Sequence, residues 1–195
     1  MIPIHMLTGT YRVIDPWFAR DRCPIELDLG CGKGTFSADL AARFPGRLVL
    51  ASDVMLGRLR KLRNKLQHRG LNNVELLRTN SRDLVGYQLP DACVNRLHLL
   101  CPDPWPKARH RHRRVITTDF MTRVARVLAP GGVFHFASDH APYLHCLERI
   151  LPALPCFHAA PDAIADIADL QTDFERVWRR DGRHVPHLAY VRAAD

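Results

Sequence analysis

The side chains best suited to chemistry are gathered in one stretch, Leu100–Arg114, read LCPDPWPKARHRHRR. Each proline of Pro102-Asp103-Pro104-Trp105-Pro106 fixes its own φ and drives the residue before it into extended geometry, so Asp103 presents its carboxylate with little backbone freedom. Trp105 sets a flat aromatic face beside it. From Lys107 to Arg114 follow one lysine, four arginines and two histidines, enough positive charge to hold several phosphates. A constrained carboxylate, an aromatic plane and a cationic lip together suit a site that holds a nucleobase while steadying its polynucleotide. His110 and His112 fit solvated positions better than catalytic ones.

A second cluster lies earlier. The apolar strand Pro24–Leu29 carries Glu26 and Asp28, runs into Gly30-Cys31-Gly32-Lys33-Gly34 and continues as a helical pattern over Phe36–Phe44. Strand, glycine turn and helix make a nucleotide-binding opening. Thr35 stands where the third glycine of a dinucleotide fingerprint would be, which counts against a nicotinamide cofactor. No G-K-[ST] follows the glycines, so a phosphate-binding P-loop is excluded. The next strand, Arg47–Ser52, stops at Asp53, an acid placed to hold ribose hydroxyls. Acidic strand tips suit S-adenosylmethionine, which has an adenosine and an ammonium group but no phosphate.

The elements that must position these residues alternate. Met55–Arg69 reads as an amphipathic helix with Leu59, Leu62 and Leu66 on one stripe, closed by Gly70. Val74–Arg78 is a third strand ending near Asn80. A fourth runs from Val94 to Cys101, interrupted by Asn95, Arg96 and His98. Thr118–Leu128 is helical and stopped by Pro130-Gly131-Gly132, and Val133–Ala137 is a strand leading to Ser138-Asp139-His140. A helix covers Tyr143–Leu151, while Pro152–Asp169 yields no assignment. Thr172-Asp173-Phe174-Glu175 has the form of a capping box opening a helix to Arg180, and Val185–Arg192 is a last strand. Alternation of this kind implies an α/β Rossmann-like fold, a seven-stranded mostly parallel sheet with helices on both faces and ligands at the carboxyl ends of the strands. Asp28, Asp53, Asn80, Asp103 and Asp139 then share one rim.

Composition sets the bounds. The 195 residues suit a single domain over 1–195, and the net charge of +8, carried mostly by arginine, favours a polyanionic partner. Six cysteines form no C-x-x-C pair and match no zinc spacing with the histidines, so they read as reduced thiols and no metal is expected. Neither a signal peptide nor a membrane-spanning run is legible, pointing to a cytoplasmic protein, monomer or homodimer, without membrane contact.

Four segments carry a resemblance: Glu26-Leu-Asp-Leu-Gly-Cys-Gly-Lys-Gly34, Pro102-Asp-Pro-Trp-Pro-Lys107 with its basic continuation, Phe136-Ala-Ser-Asp139, and Thr172–Glu175. Together, over about Trp17 to Val191, the chain resembles the tRNA (guanine-N7-)-methyltransferase family. The resemblance implies a class I S-adenosylmethionine-dependent enzyme acting on guanosine 46 in the variable loop of tRNA. It implies cofactor contacts from Asp28, Gly30, Gly32, Gly34, Asp53, Asn80 and Asp103, with Asp103 also the catalytic candidate. Substrate contacts would come from Lys107, Arg109, Asp139, Thr172, Asp173, Phe174 and Glu175. The family commonly has glutamate where Asp28 stands and an acid where Asn80 stands, and the segment before Trp17 is short for it. Competing readings are a class I N-methyltransferase acting on an exocyclic amine of RNA or protein, and a non-catalytic RNA-binding relative.

Overall fold

The structure is a computed structural model that describes residues 2–11, 13–14, 23–105 and 107–194; Trp17 and Pro106 lie outside the described residues. Eight strands form one sheet: β1 (Ile4–Met6), β2 (Ile25–Leu29), β3 (Leu48–Asp53), β4 (Val74–Arg78), β5 (Val94–Leu100), β6 (Leu128–Ala137), β7 (Phe157–Ala159) and β8 (His187–Arg192), ordered β1-β4-β3-β2-β5-β6-β8-β7. The pairs from β1 through β6 are parallel, while β8 runs antiparallel to both β6 and β7. The expected count of seven strands is one short. Edge strands β1 and β7 have three residues each, too few to show a period; β1 is held by its ladder to β4 and by a 2.8 Å contact between His5 Nε2 and Glu75 Oε2.

Alternation along the strands sorts the core onto two faces. Leu50, Leu97, Leu99, Phe134 and Phe136 pack under α4 (Thr118–Val127) and α5 (Ala141–Ile150). Val49, Ala51 and Leu76 pack under α1 (Thr35–Arg43) and α2 (Leu56–His68) on the other side, where a turn of tight helix at Pro161–Ile167 and α6 (Asp173–Arg180) also lie. The short α3 (Ser81–Asp83) follows β4. Strand β6 begins at Leu128, five residues before the expected Val133. Leu128 already pairs with Val94, and the register then shifts before Arg96 meets Val133, so the Pro130-Gly131-Gly132 segment is accommodated inside the strand as an irregularity.

Candidate active site

From β2 the chain moves outward through β3 and β4, then returns to place β5 on the other side of β2. This reversal is a topological switch point, where the connections leave β2 and β5 in opposite directions and open a crevice beyond their carboxyl ends. A cleft of about 800 Å³ occupies it, and Asp28, Gly30, Gly32 and Asp53 line it together with Asp103 and Trp105. The glycine turn and the proline-bounded loop therefore face one cavity.

The β2–β3 side is acidic and preorganised. Asp28 is buried and its Oδ2 accepts the Ser37 hydroxyl at 2.5 Å; burial pushes its carboxyl up to about 6 despite that hydrogen bond. Asp53 Oδ1 accepts from Met55 N at 2.7 Å, and its Oδ2 from Gly32 N at 3.1 Å and from Arg58 at 3.3 Å. Gly30 and Gly32 have φ of +77° and +59°, and a Cβ on either would meet nothing within 4 Å, so the floor stands open toward the cleft. Asn80 Oδ1 caps α3 through Asp83 N at 2.8 Å, and its amide also contacts the Asp83 carboxylate. An acid missing at position 80 is thus present one helical turn away, on the cleft wall.

On the β5 side the loop is held under strain. Cys101 and Trp105, on either side of Pro102-Asp103-Pro104, have φ of +50° and +42°, a conformation that non-glycine residues keep only where their surroundings impose it. Arg114 supplies that constraint, with Nε donating to Pro104 O at 3.0 Å and Nη2 to Trp105 O at 3.2 Å. Arg82 in turn donates to His112 O and Arg114 O, and the Arg113 guanidinium lies 4.8 Å from the Trp105 ring centroid. Two arginines of the basic run therefore build the loop. Lys107 and Arg109 remain exposed beside the cleft without lining it, as does Asp139 past the end of β6.

The α6 motif does several jobs. Thr172 and Glu175 form the capping box, and Asp173 reaches across to Thr35 at the start of α1. Thr172, Asp173 and the half-exposed Phe174 line the cleft; Glu175 does not, because its carboxylate is buried and bonded to His187 and Thr172 N. Sequence reasoning missed Arg58, Arg82, Asp83, Tyr143 and Val177 in the lining. Arg58 and Val177 were within reach of a period count, being on the helices that follow Asp53 and Thr172. Tyr143 depends on how α5 docks, where its hydroxyl accepts from Val115 N at 3.0 Å.

All six cysteines are free, and among the described residues no cluster of His, Cys, Asp or Glu has the form of a metal site. Nor is any described helix long and apolar enough to cross a membrane. Carboxylates line this cleft together with Lys33, Arg58, Arg82 and Arg113, a lining that suits a ligand bearing ammonium and hydroxyl groups next to a polyanion.

A family model described as "Putative methyltransferase" matches residues 22–188. A tRNA (guanine-N(7)-)-methyltransferase of Caulobacter vibrioides is 35% identical over 161 residues, covering 82% of this chain and 70% of that protein. Its counterpart in Mycobacterium avium is 37% identical over 181 residues, covering 91% and 70%. Among solved structures, the 16S rRNA methyltransferase KamB superposes with a TM-score of 0.62 at 22% identity, covering 88% of each chain, a likeness of fold.

Proposed function

Because this chain belongs to the tRNA (guanine-N7-)-methyltransferase family, we propose that it transfers a methyl group from S-adenosylmethionine to N7 of guanine in tRNA, at guanosine 46 of the variable loop, in the cytoplasm. The observation that carries this reading is the single cleft that joins Asp28 and Asp53 to Asp103 and Trp105.

The residues fit the donor. Buried Asp28 is a partner for its ammonium group, Asp53 for its ribose hydroxyls, and the open floor at Gly30 and Gly32 leaves room for it. Bound there, S-adenosylmethionine supplies an electrophilic methyl group on a sulfonium.

Guanine N7 offers a free lone pair at neutral pH, so no residue has to remove a proton from the attacking atom. The chain's task is alignment, an effect that can reach roughly 10 kcal/mol. Asp103 accepts hydrogen bonds from the N–H edge of the base and turns N7 toward the methyl group. Its negative charge also favours the positive charge that reaches the purine as the methyl moves. Trp105 and Phe174 flank the base, Thr172 and Asp173 close the wall, and Glu175 holds that wall from behind. Lys107, Arg109 and Asp139 meet the RNA outside the cleft.

The test is incubation with bulk tRNA and S-adenosylmethionine. S-adenosylhomocysteine should form, and chain cleavage at 7-methylguanosine should fall at one position in the variable loop. Product formation without such cleavage would transfer the reading to an exocyclic amine, and no product at all to a binding protein.

A further inference from the structure

On the face of the sheet covered by α1 and α6, a buried hydrogen-bond chain crosses four adjacent strands. His98 Nε2 meets Glu26 Oε2 at 2.8 Å, His98 Nδ1 meets His135 Nδ1 at 2.9 Å, His135 Nε2 meets His187 Nδ1 at 2.8 Å, and His187 Nε2 meets Glu175 Oε1 at 2.6 Å. The second Glu175 oxygen accepts Thr172 N at 2.8 Å, within the capping box that starts α6. Glu26, His98, His135 and Glu175 are at most 2% exposed. Phe36 of α1 sets its ring edge against both His98 and His135. Of this chain, the proposed methyl transfer uses only Glu175, as a support behind the cleft wall.

Its protons can be counted. Each of the four links needs one proton between its two atoms, and ionised carboxylates bring none. Three neutral imidazoles carry three. Without a fourth, one link would set acceptor against acceptor at under 3 Å. A fourth proton makes one ring an imidazolium, and the charges along the chain then balance: buried Glu26 and Glu175 with exposed Asp166, against buried Arg96, partly buried Arg47 and that ring. Arg96 joins two of these acids, through Nε to Glu26 at 2.9 Å and Nη1 to Asp166 at 2.7 Å, and Arg47 also pairs with Glu26. Asp28 is the further titratable group facing His98 on this side.

We propose that His98, His135 and His187 are positioning residues that share one proton beyond their neutral complement, and that this proton fastens α6, with Asp173 and Phe174, against the glycine turn. Burial, with repulsion from the two neighbouring rings, holds His135 well below the usual histidine range, which makes the central ring the least favourable seat for the extra proton. At the Glu26 end, burial alone would raise the carboxyl, but His98 and Arg96 outweigh it and keep it ionised. The same balance holds at Glu175, where burial is overcome by His187 and the Thr172 amide. The effect on turnover rests on the methyltransferase reading; the proton count does not.

Glu175→Gln separates the outcomes. A glutamine amide can donate to His187 Nε2 while its oxygen still accepts Thr172 N, and three neutral rings then run donor to acceptor in one direction to Glu26. In the 195-residue chain labelled with ¹⁵N-histidine, the three rings should carry four ring protons near neutral pH, and three in E175Q. Three in the parent protein overturns the shared proton. With tRNA, the parent's kcat/KM should fall roughly tenfold at alkaline pH, mainly through KM, as expected for one lost hydrogen bond to a charged group, and E175Q should lose this dependence. An equal alkaline fall in both overturns the positioning role, as does a loss in E175Q that is uniform across pH. Because the ring protons are read without turnover, inactivity on tRNA would count against the function and leave the count decided.

Discussion

The Asp173 carboxylate accepts the Thr35 hydroxyl at 2.8 Å across 138 residues of chain, and its other oxygen lies 3.4 Å from Thr35 N. Helix α1 has glycine at its N-cap, with no side chain to satisfy the first amides. Asp173 does this from another helix, placing negative charge at the positive end of α1.

Asp173→Ala should therefore destabilise the protein by about 1–2 kcal/mol, the usual cost of losing a cap, while Asp173→Asn should retain most of it because an amide oxygen can still accept. Urea unfolding midpoints measure both. Cofactor affinity should fall with stability in the alanine variant, since the glycine turn leads directly into the helix that loses its cap.

Asp28 gives a pH dependence of defined sign. Burial raises its carboxyl from 3.8 to about 6 in the folded protein. Its contribution to stability is thus full below about pH 4 and is lost as pH rises to about 6, a difference of about 3 kcal/mol at 1.4 kcal/mol per pH unit. An ammonium group bound beside it would offset the buried charge, so cofactor affinity should rise over the same window. Asp28→Asn should flatten both curves; calorimetric titration with S-adenosylhomocysteine at several pH values checks this.

Two glycines of the turn should differ. A Cβ at Gly34, where φ is +74°, would lie 2.5 Å from Leu62 Cδ1, and Leu62 is fully buried. Gly30 shares the positive φ but has open space. Gly30→Ala should cost about 1–2 kcal/mol for the left-handed backbone alone, and Gly34→Ala clearly more, as overpacking adds about 1–3 kcal/mol. Equal melting temperatures for the two would contradict this geometry.

The rim of carboxylates was legible because parallel α/β connections bring strand ends to one edge, and period and glycine punctuation mark where strands end. Asp28, Asp53 and Asp103 follow from that rule. Arg96 and His98 interrupt the apolar pattern of β5 in the sequence, and only the pairing of Arg96 opposite Glu26 and His98 opposite His135 shows them as parts of a buried polar seam. Glu175 is a substrate contact by resemblance alone: its two bonding partners, Thr172 and His187, are near in sequence, but which way it faces is fixed by how β8 returns beside β6. The division of the basic run into structural Arg114 and exposed Lys107 and Arg109 likewise depends on where the loop carbonyls point.

Exposed Lys107 and Arg109 are free to meet phosphates. Removing either should weaken tRNA binding across sequences and lower the slope of log K against log salt by about 1. Filter binding over a salt series measures the slope; an unchanged slope in both variants would remove the phosphate role from this turn.

Asp103 and Arg114 should fail differently from the cofactor-side residues. Asp103→Ala deletes the group that orients the base, so kcat should fall by orders of magnitude while S-adenosylhomocysteine affinity stays within about threefold, because an interaction made in the transition state lowers kcat more than ground-state binding. Arg114→Ala leaves Asp103 in place but frees the carbonyls of Pro104 and Trp105 that hold the strained loop. The left-handed backbone at Trp105 can then relax, releasing roughly 1–3 kcal/mol of strain and letting the carboxylate swing from its aim. The result should be a variant with melting temperature and cofactor affinity near those of the parent and a kcat closer to that of Asp103→Ala. If Arg114→Ala instead keeps its kcat and loses only tRNA affinity, the guanidinium acts on the RNA rather than on the loop.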